Sequence, residues 1–298
     1  MTRQARTLLT GGAFFEGPRW RDGQWWVSDF YRHGVYTVTP EGTATRILDV
    51  PAQPSGLGWM PDGSLLVVSM GDRRLLRRWP DGSVTPHADL SDHAAWHCND
   101  MVVDAQGRAW VGNFGFDLMQ GADPATTGLL RVDPDGGIAR VADDLAFPNG
   151  MAITPDGATL LVGETFRGRY TAFTINADGS LSDRRTWAQL GPEPALTTRR
   201  AVTEQLETAP DGCCLDAEGC LWVADAMGQR CLRVAPGGTI VDTVTADGQG
   251  VFACMLGGAD GRTLLLCCAP DSSERRRRAA LEATLMTCTV DIPHAGLP

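Results

Sequence analysis

The fold is decided by a pattern in the stretch Pro210-Asp-Gly-Cys-Cys-Leu-Asp-Ala-Glu-Gly-Cys-Leu-Trp-Val-Ala224. An Asp-Gly pair opens an apolar run, the turn Asp216-Ala-Glu-Gly219 follows, and a second apolar run occupies residues 220–224. A glycine at the end of such a turn supplies the positive φ that a tight hairpin requires. The stretch therefore predicts two antiparallel strands joined by a turn.

The same turn signature recurs six times along the chain, each time followed by a short apolar run. The six copies are Trp20-Arg-Asp-Gly23, Met60-Pro-Asp-Gly63, Asp104-Ala-Gln-Gly107, Thr154-Pro-Asp-Gly157, Asp216-Ala-Glu-Gly219 and Gly258-Ala-Asp-Gly261. Their final glycines are about 48 residues apart on average, a period typical of propeller blades. The sequence therefore predicts an all-β fold, a six-bladed β-propeller of four-stranded antiparallel blades around a central channel. A two-sheet sandwich is the alternative, but it does not repeat one phased motif six times.

The sixth repeat is short of an outer strand. We expect the N-terminal segment, residues 5–10, to supply it, because this pairing would close the ring and remove an exposed sheet edge. No linker or shift in composition marks a domain boundary, so a single propeller domain is expected over residues 1–298.

The composition excludes several classes of chemistry. The chain of 298 residues has 26 basic side chains, all of them arginine, against 36 acidic ones, for a net charge of −10. Without lysine, neither a lysine Schiff base nor a Walker-type phosphate site is available. The acidic balance argues against a nucleic-acid partner, which would require a basic face.

The hydrophobic and cysteine patterns predict a cytoplasmic location with no membrane partner. No apolar run approaches the roughly 18 residues of a membrane span, and residues 1–10 lack the apolar region of a signal peptide. The nine cysteines are odd in number and include no Cys-x-x-Cys pair. We therefore expect reduced thiols in the core.

A second recurring position within the repeats locates a candidate site. Counting back eight residues from each turn glycine, or seven in the first repeat, reaches the start of each innermost strand. The residues found there are Glu16, Ser55, Asn99, Asn149, Asp211 and Ala253. Because the innermost strands of a propeller surround its channel, we expect these side chains to converge at one mouth.

The converging oxygen atoms predict a metal site. Carboxylates repel one another unless a cation lies between them. An all-oxygen set of Glu, Asn and Asp suits a hard divalent ion, with Ca²⁺ first and Mg²⁺ or Mn²⁺ behind it. The alternative is that Asn149-Gly150 and Asp211-Gly212 are ordinary turn pairs. The position of these pairs in the repeat favours a metal site, because each pair lies at the start of a predicted strand and a different glycine turn lies at its end.

Several motifs in register resemble those of a known family. They are Glu16-Gly-Pro-Arg-Trp20, Asn99-Asp100, Pro148-Asn-Gly150 and the stretch that begins at Pro210. With them, residues 11–269 are similar to the SMP-30/gluconolactonase family, the regucalcin-like lactonases. The resemblance implies a six-bladed propeller with one divalent cation, held by Glu16, Asn149 and Asp211. It also implies that Asn99 contacts the substrate near the metal.

The resemblance implies hydrolysis of a small-molecule lactone. We expect a divalent cation, Ca²⁺ foremost with Mg²⁺, Mn²⁺, Zn²⁺ or Fe²⁺ as alternatives, to polarise the carbonyl and stabilise the oxyanion. Asp211 is the candidate catalytic residue, either as the base or through a water molecule that it activates. Two other functions stay open: a phosphotriesterase or fluorophosphatase, and a non-catalytic calcium-binding or protein-binding scaffold.

One position departs from the family pattern. Sugar-lactone hydrolysing relatives commonly have an arginine two residues before the substrate-contacting asparagine, where this chain has His97. On a regular strand His97 and Asn99 share a face, so both are candidate substrate-binding residues, with a structural histidine as the alternative. Cys98 would point away, which argues against a nucleophilic pair with His97. The missing arginine removes donors suited to sugar hydroxyls.

Other features border the predicted mouth. Aromatic residues that would make the pocket more apolar are Phe14, Phe15 and Trp96, so we expect a substrate other than gluconolactone. Polar residues near the ends of the second strands would orient the ligands or form rim turns; they are Asp29, Asn113, Glu164 and Asp225. Residues 115–127 and 191–209 are candidate lids or solvated insertions. The arginine run at residues 275–278 is predicted to be a solvated loop.

Overall fold

The six repeats fold into six sheets arranged as a six-bladed β-propeller. The computed structural model describes residues 2–296. Two strands precede the first repeat: β1 (Thr2–Gln4) and β2 (Arg6–Gly12). Blades 1 to 3 contain β3 (Phe15–Arg21), β4 (Gln24–Asp29), β5 (Gly34–Val38) and β6 (Ala44–Asp49); β7 (Pro54–Trp59), β8 (Leu65–Ser69), β9 (Arg74–Arg78) and β10 (Val84–Asp89); and β11 (Cys98–Val103), β12 (Ala109–Asn113), β13 (Thr127–Val132) and β14 (Ile138–Leu145). Blades 4 to 6 contain β15 (Pro148–Ile153), β16 (Thr159–Glu164), β17 (Arg169–Ile175) and β18 (Leu181–Gln189); β19 (Pro210–Leu215), β20 (Leu221–Asp225), β21 (Arg230–Val234) and β22 (Ile240–Thr245); and β23 (Gly250–Gly257), β24 (Thr263–Ala269) and β25 (Ala283–Thr289).

Among residues 2–296, three short helices lie outside the sheets. The 3₁₀ helix Thr165–Arg167 follows β16, α1 (Arg199–Gln205) lies between β18 and β19, and α2 (Glu274–Ala280) lies between β24 and β25. Within the same range, no helix is both long enough and apolar enough to cross a membrane.

The turn glycines take the conformation that their signature predicts. The six glycines that end the signatures have φ between 69° and 83°. This left-handed region carries little steric penalty for glycine alone. Each of these turns joins the first and second strands of a blade, so the predicted strand pairs are confirmed.

Strand β2 closes the ring as the sequence predicts. It pairs with β25 in an antiparallel register that runs from Arg6 opposite Thr287 to Gly12 opposite Ala283. The sixth blade therefore has the order β23-β24-β25-β2. The three residues of β1 pair in parallel with β22 and extend blade 5, a strand too short to show a hydrophobic period. The N-terminal segment thus joins blades 5 and 6.

One repeat position supplies much of the packing between blades. The third residue after each turn glycine is Trp26, Leu66, Trp110, Leu160, Trp222 or Leu264. Five of these six side chains are buried. Trp110 packs in a cluster with residues of blade 4, and the ring of Trp26 lies edge-on to Trp59 of blade 2. Burial of a repeated apolar position at successive blades stabilises the whole ring.

Every innermost strand has an irregular register near its start. The pairing with the second strand shifts within the first residues of all six blades. The shifts fall at Glu16/Arg19, Pro54/Leu57, Cys98/Met101, Pro148/Met151, Pro210/Cys213 and Val251/Ala253. A shift of this kind turns side chains away from simple alternation. Regular i, i+2 geometry therefore does not apply where the candidate site begins.

Candidate active site

A cavity of about 1050 Å³ occupies one end of the channel. Four of the six residues found by their phase in the repeats line it: Glu16, Asn99, Asn149 and Asp211. They come from blades 1, 3, 4 and 5, each from the start of an innermost strand. Their common phase in the repeats therefore corresponds to a common place in the fold.

A chain of hydrogen bonds links the polar side chains of the cavity. Ser55 Oγ donates to Asn99 Oδ1 at 3.2 Å, and Asn99 Nδ2 donates to Asn149 Oδ1 at 3.0 Å. Asn149 Nδ2 then donates to Thr165 Oγ1 at 3.2 Å, and that hydroxyl donates to the Pro210 carbonyl oxygen at 2.7 Å. Both amides are thus held in one orientation across four blades. Thr165, which also lines the cavity, was not singled out in the sequence.

The carboxylates of the cavity repel one another. Burial raises the pKa of Glu16 well above its usual range, and the charges of Asp211 and Asp100 raise it further. Burial also raises the pKa of Asp211, and the charge of Asp100 adds to this effect. A hydrogen bond between Asp211 and Asn149 acts in the opposite direction. A cation bound among these groups would relieve the repulsion.

Asp100 is an acid of the channel that the sequence argument did not select. Its Oδ1 accepts the N–H of Met101 at 2.7 Å and lies 3.7 Å from Nη2 of Arg19. Arg19 is itself buried and donates to the Met101 carbonyl oxygen at 2.6 Å. Burial raises the pKa of Asp100 in spite of this partner. Its place directly after Asn99, at an irregular strand start, was the signal that could have found it.

The donor set fits a hard divalent cation. Glu16 and Asp211 offer carboxylate oxygens, and Asn149 offers an amide oxygen whose orientation follows from the bond to Thr165. Within residues 2–296, no group of three or more His, Cys, Asp or Glu side chains could hold a metal. A site among these residues therefore depends on the amide oxygen as well as on the two carboxylates. Oxygen donors of both kinds are those that Ca²⁺ and Mg²⁺ prefer.

Three fully buried carboxylates hold the loops that lead into the three predicted ligands. Each stands at the end of a second strand and accepts backbone N–H groups two or three residues before the ligand. The bonds run from Ala13 and Phe14 to Asp29 (2.9 and 3.1 Å), from Ala146 to Glu164 (2.9 Å) and from Ala209 to Asp225 (3.1 Å). This repeated contact fixes where each ligand strand begins.

Asn113 makes a different set of contacts. Its Oδ1 accepts hydrogen bonds from the Gly115 N–H at 3.1 Å and from Thr127 Oγ1 at 2.8 Å. Its Nδ2 donates to the Gly128 carbonyl oxygen at 2.9 Å. Asn113 therefore anchors both ends of the segment 115–127 rather than the loop before Asn99.

His97 lies outside the lining of the cavity. Strand β11 begins at Cys98, so His97 precedes it, and the register shift that follows breaks the alternation assumed for this pair. The imidazole stacks on Trp96 at a centroid distance of 5.3 Å and lies 6.1 Å from the ring of Phe114, which lines the cavity. Burial lowers the pKa of His97. In this position the residue supports the cavity wall through Phe114.

Two aromatic walls enclose the cavity. The first aromatic wall comes from blades 1 and 6, and the second comes from blades 3 and 4. The first consists of Phe14, Phe30, Tyr31 and Phe252, and the second consists of Phe114, Phe147 and Phe166. Within each wall, rings pack at centroid distances of 4.7 to 5.5 Å. The cavity therefore has aromatic surface on two sides beside its polar residues.

The apolar cavity is built from other rings than the sequence suggested. Of the three expected residues only Phe14 lines it, because the ring of Phe15 packs against Gly12 and Trp96 stacks on His97. A repeat position that sequence reasoning missed is the residue directly after a second strand. Four residues at this position line the cavity: Phe30, Phe114, Thr165 and Ala226.

The two long segments meet at the rim of the cavity. Leu118 and Met119 of the segment 115–127 line it, as does Arg199 of the segment 191–209. Arg199 Nη1 donates to the Leu118 carbonyl oxygen at 3.1 Å. Both segments therefore border the site.

The arginine run at residues 275–278 is not a solvated loop, as the sequence suggested, but part of helix α2 at the rim. Arginine and alanine are good helix formers, which explains the helix. Within it Arg277 is buried and donates to Glu282 at 2.6 Å, with Asp271 at 3.3 Å from its Nε. The other three arginines of the run line the cavity.

Cys98 is expected to be chemically inert. Its side chain is fully buried, and burial raises the pKa of the thiol to about 12, so almost no thiolate exists at pH 8. Mass spectrometry after treatment with iodoacetamide at pH 8 should find Cys98 modified only in denatured protein. The half-buried Cys288 serves as the control and should react first in the folded protein. Rapid modification of Cys98 in the native state would contradict this expectation.

Comparisons with known proteins agree with the fold. A family model described as "SMP-30/Gluconolactonase/LRE-like region" matches residues 14–269. The chain is 29% identical to regucalcin of Danio rerio, over 65% of this chain and 61% of that protein. It is 27% identical to 6-deoxy-6-sulfogluconolactonase of Pseudomonas putida, over 84% of this chain and 81% of that protein.

A solved structure shows the same architecture. A gluconolactonase from Xanthomonas campestris superposes with a TM-score of 0.72 at 26% identity, over 98% of this chain and 89% of that chain. The residues matched by the family model include Glu16, Asn99, Asn149 and Asp211.

Proposed function

Because this chain belongs to the SMP-30/gluconolactonase/LRE-like family, we propose that it is a divalent-metal-dependent hydrolase that opens the ring of a lactone by attack of water. The observation that carries the proposal is that three candidate ligands and Asn99, from four blades, line one cavity. Similarity to a sulfogluconolactonase and to a gluconolactonase supports a small-molecule lactone as the substrate.

The proposed cation site consists of Glu16, Asn149 and Asp211. Ca²⁺ is the proposed ion because all three donors are oxygens, with Mg²⁺, Mn²⁺, Zn²⁺ and Fe²⁺ as alternatives. A cation bound there would polarise the lactone carbonyl and lower the pKa of a water molecule. The buried carboxylate of Asp29 holds the loop before Glu16, and that of Asp225 holds the loop before Asp211. These contacts make the site rigid before substrate arrives.

Asn99 is the proposed substrate-orienting residue. One of its two amide N–H groups goes to Asn149, and its Oδ1 accepts a hydrogen bond from Ser55. The second N–H is free to donate to the lactone carbonyl oxygen, where negative charge develops as water attacks. Because the rest of the amide is already held, little orientational freedom is lost in the reaction.

Asp211 is the proposed base. Its carboxylate takes a proton from the attacking water as the water oxygen bonds to the carbonyl carbon. The same proton passes to the ring oxygen when the carbon–oxygen bond of the ring breaks. One lactone and one water therefore give one hydroxycarboxylic acid, which ionises at neutral pH. The acid released gives a direct assay with a pH indicator.

The aromatic walls support a lactone with hydrophobic substituents. Phenylalanine rings offer no hydrogen bonds to sugar hydroxyls, whereas they gain free energy by burying alkyl or aryl groups. His97 stands where relatives commonly have an arginine, and it does not line the cavity. We therefore propose that gluconolactone is not the preferred substrate.

A panel of substrates tests the proposed function. We expect kcat/KM for alkyl-substituted lactones to exceed that for gluconolactone by about tenfold or more, since one buried methylene contributes roughly 0.8 kcal/mol. Dialysis against a chelator should abolish hydrolysis, and added Ca²⁺ should restore it. Hydrolysis of phosphotriesters in preference to lactones would identify the alternative enzyme. Tight Ca²⁺ binding without turnover of any ester would identify a non-catalytic scaffold.

We also propose a reducing, cytoplasmic location and a single propeller domain. All nine cysteines are free, and eight of them are buried. Thiols in this state are typical of compartments that keep cysteine reduced. Fractionation of cells that express the native chain would test the location.

A further inference from the structure

Two arginines that line the rim of the cavity have side chains without a salt-bridge partner among the residues that the structure describes. Arg199 lies on α1 and Arg275 lies on α2, and both side chains line the cavity. The two helices come from separate insertions, one between blades 4 and 5 and one within blade 6. Positive charge therefore reaches the same rim from two independent parts of the chain.

The neighbouring charges of the rim cancel in pairs. Nη1 of Arg276 lies 3.4 Å from Oδ2 of Asp271, and Nη1 of Arg278 lies 3.0 Å from Oε1 of Glu274. All four of these residues line the cavity. Their charges add to zero, so they contribute no net potential to attract an ion.

Arg199 and Arg275 are not neutralised in this way. Arg199 Nη1 donates to a backbone carbonyl oxygen, that of Leu118, and the guanidinium has no carboxylate within salt-bridge distance among residues 2–296. In the same part of the chain, Arg275 has neither an ion pair nor a hydrogen bond to its side chain. Among residues 2–296, the rim thus has two arginines whose guanidinium groups form no salt bridge, although Asp123 Oδ1 accepts the backbone N–H of Arg199 at 3.3 Å.

The same cavity that these arginines line also has apolar surface. The two aromatic walls form its sides, and Met119 and Met227 line it as exposed apolar side chains, at 38% and 50% exposure. Exposed methionines beside aromatic rings are typical of surfaces that bind hydrophobic molecules. A cavity of about 1050 Å³ accommodates a molecule of drug size.

We infer that Arg199 and Arg275 form a subsite for the anionic group of an amphipathic substrate. The substrate class is a lactone whose ring reaches Asn99 and Asp211, whose apolar chain lies between the aromatic walls, and whose far end carries a carboxylate, sulfonate or phosphate. Guanidinium groups bind such anions through charge-assisted hydrogen bonds. The inference rests on the proposed function for the lactone ring, but the anion subsite has its own test.

Matched lactones measure the contribution of the subsite. Three γ-lactones with the same alkyl chain would end in a methyl, a carboxylate or a trimethylammonium group. For the native protein we expect kcat/KM to be highest for the carboxylate and lowest for the cation. In the double variant Arg199→Ala/Arg275→Ala, the ratio of kcat/KM for carboxylate over methyl should fall about tenfold, the size of one charge-assisted hydrogen bond. The change should appear in KM, because the anionic group takes no part in the reaction and is bound equally in the ground state and the transition state.

Arg200→Ala is the matched control. Arg200 is the neighbour of Arg199 on α1, is exposed, pairs with Glu204 and does not line the cavity. Loss of its charge should leave the carboxylate-to-methyl ratio unchanged within twofold. An equal ratio in the native protein and the double variant would overturn the inference. So would an equal fall in the Arg200→Ala control, which would indicate a general effect of surface charge.

Binding without turnover separates the inference from the proposed function. Calorimetry would compare cyclic ethers that cannot be hydrolysed, with the same alkyl chain ending in a carboxylate or a methyl group. We expect the carboxylate ligand to bind about tenfold more tightly to the native protein, and the difference to shrink at high salt. This preference would stand even if no lactone were hydrolysed. Hydrolysis of lactones with no preference for the carboxylate ligand would reject the subsite and retain the enzyme.

Discussion

Replacing Asp211 with asparagine is expected to lower kcat for lactone hydrolysis by about 10³-fold, within the range measured for lost general bases. Asparagine keeps the size of the side chain and one oxygen, but it removes the proton acceptor and one of the two carboxylates of the proposed cation site. Since both losses act at the reacting atoms, saturating substrate should not restore the rate. Initial rates with a pH indicator, at several substrate and Ca²⁺ concentrations, measure the effect.

The control for this substitution is Asp92→Asn. Asp92 is exposed in the segment before β11 and does not line the cavity, so the variant loses the same charge elsewhere. Its kcat should stay within about twofold of the native value, as for ordinary surface changes. Without added Ca²⁺, the Asp211→Asn variant should keep its thermal unfolding midpoint, because the native carboxylate is buried and repelled by its neighbours. A folded Asp211→Asn variant with near-native kcat would show that Asp211 is not the base.

Removing residues 1–12 is expected to abolish cooperative folding. The deletion takes away β2, the outer strand of blade 6, and leaves the edge of β25 unpaired. It also removes Leu8 and Leu9, which pack against the main hydrophobic core. Several strand hydrogen bonds at about 1 kcal/mol each, together with the apolar burial, approach the 5–15 kcal/mol that stabilises a typical protein. Urea unfolding followed by fluorescence, with light scattering for aggregation through the exposed edge, measures the loss.

Removing residues 1–4 alone provides the comparison. This shorter deletion takes away β1, three residues that add a parallel strand to blade 5 and are largely at the surface. We expect it to lower the free energy of unfolding by about 1 kcal/mol or less. If the deletion of residues 1–12 unfolded with the same midpoint as the shorter one, closure of the ring by β2 would not be needed for stability.

Much of the fold followed from a local signal that does not depend on distant contacts. A positive φ at glycine is a property of a single residue, so six signatures such as the one ending in Gly219 marked six hairpins correctly. The closing strand was also predictable, because a sheet edge left open in the sixth repeat demands a partner. Strand β1 was not, since a run of three residues has no measurable period.

The part of the candidate site that could be predicted consists of residues at one recurring position in the repeats. Asn99, Asn149 and Asp211 share one phase, so a propeller necessarily brings them to one channel. His97 was misplaced because its position was derived from regular alternation, and the register shift at the start of β11 removes that regularity. Asp100 was missed for the same reason: alternation turns it away from the site, whereas its charge acts on both Glu16 and Asp211.

The sequence by itself determined the blade count, the antiparallel pairing and the group of oxygen-bearing residues in the channel, because each depends on local geometry repeated at a constant spacing. Only the tertiary structure decided what surrounds that group. Some of the wall residues share a repeat position, as Phe30 and Phe114 do directly after a second strand, but the two unpaired arginines come from insertions of unequal length, which carry no common phase. Their meeting at one rim depends on how the closed ring places the ends of its strands, and on how the segment 191–209 and α2 pack across it.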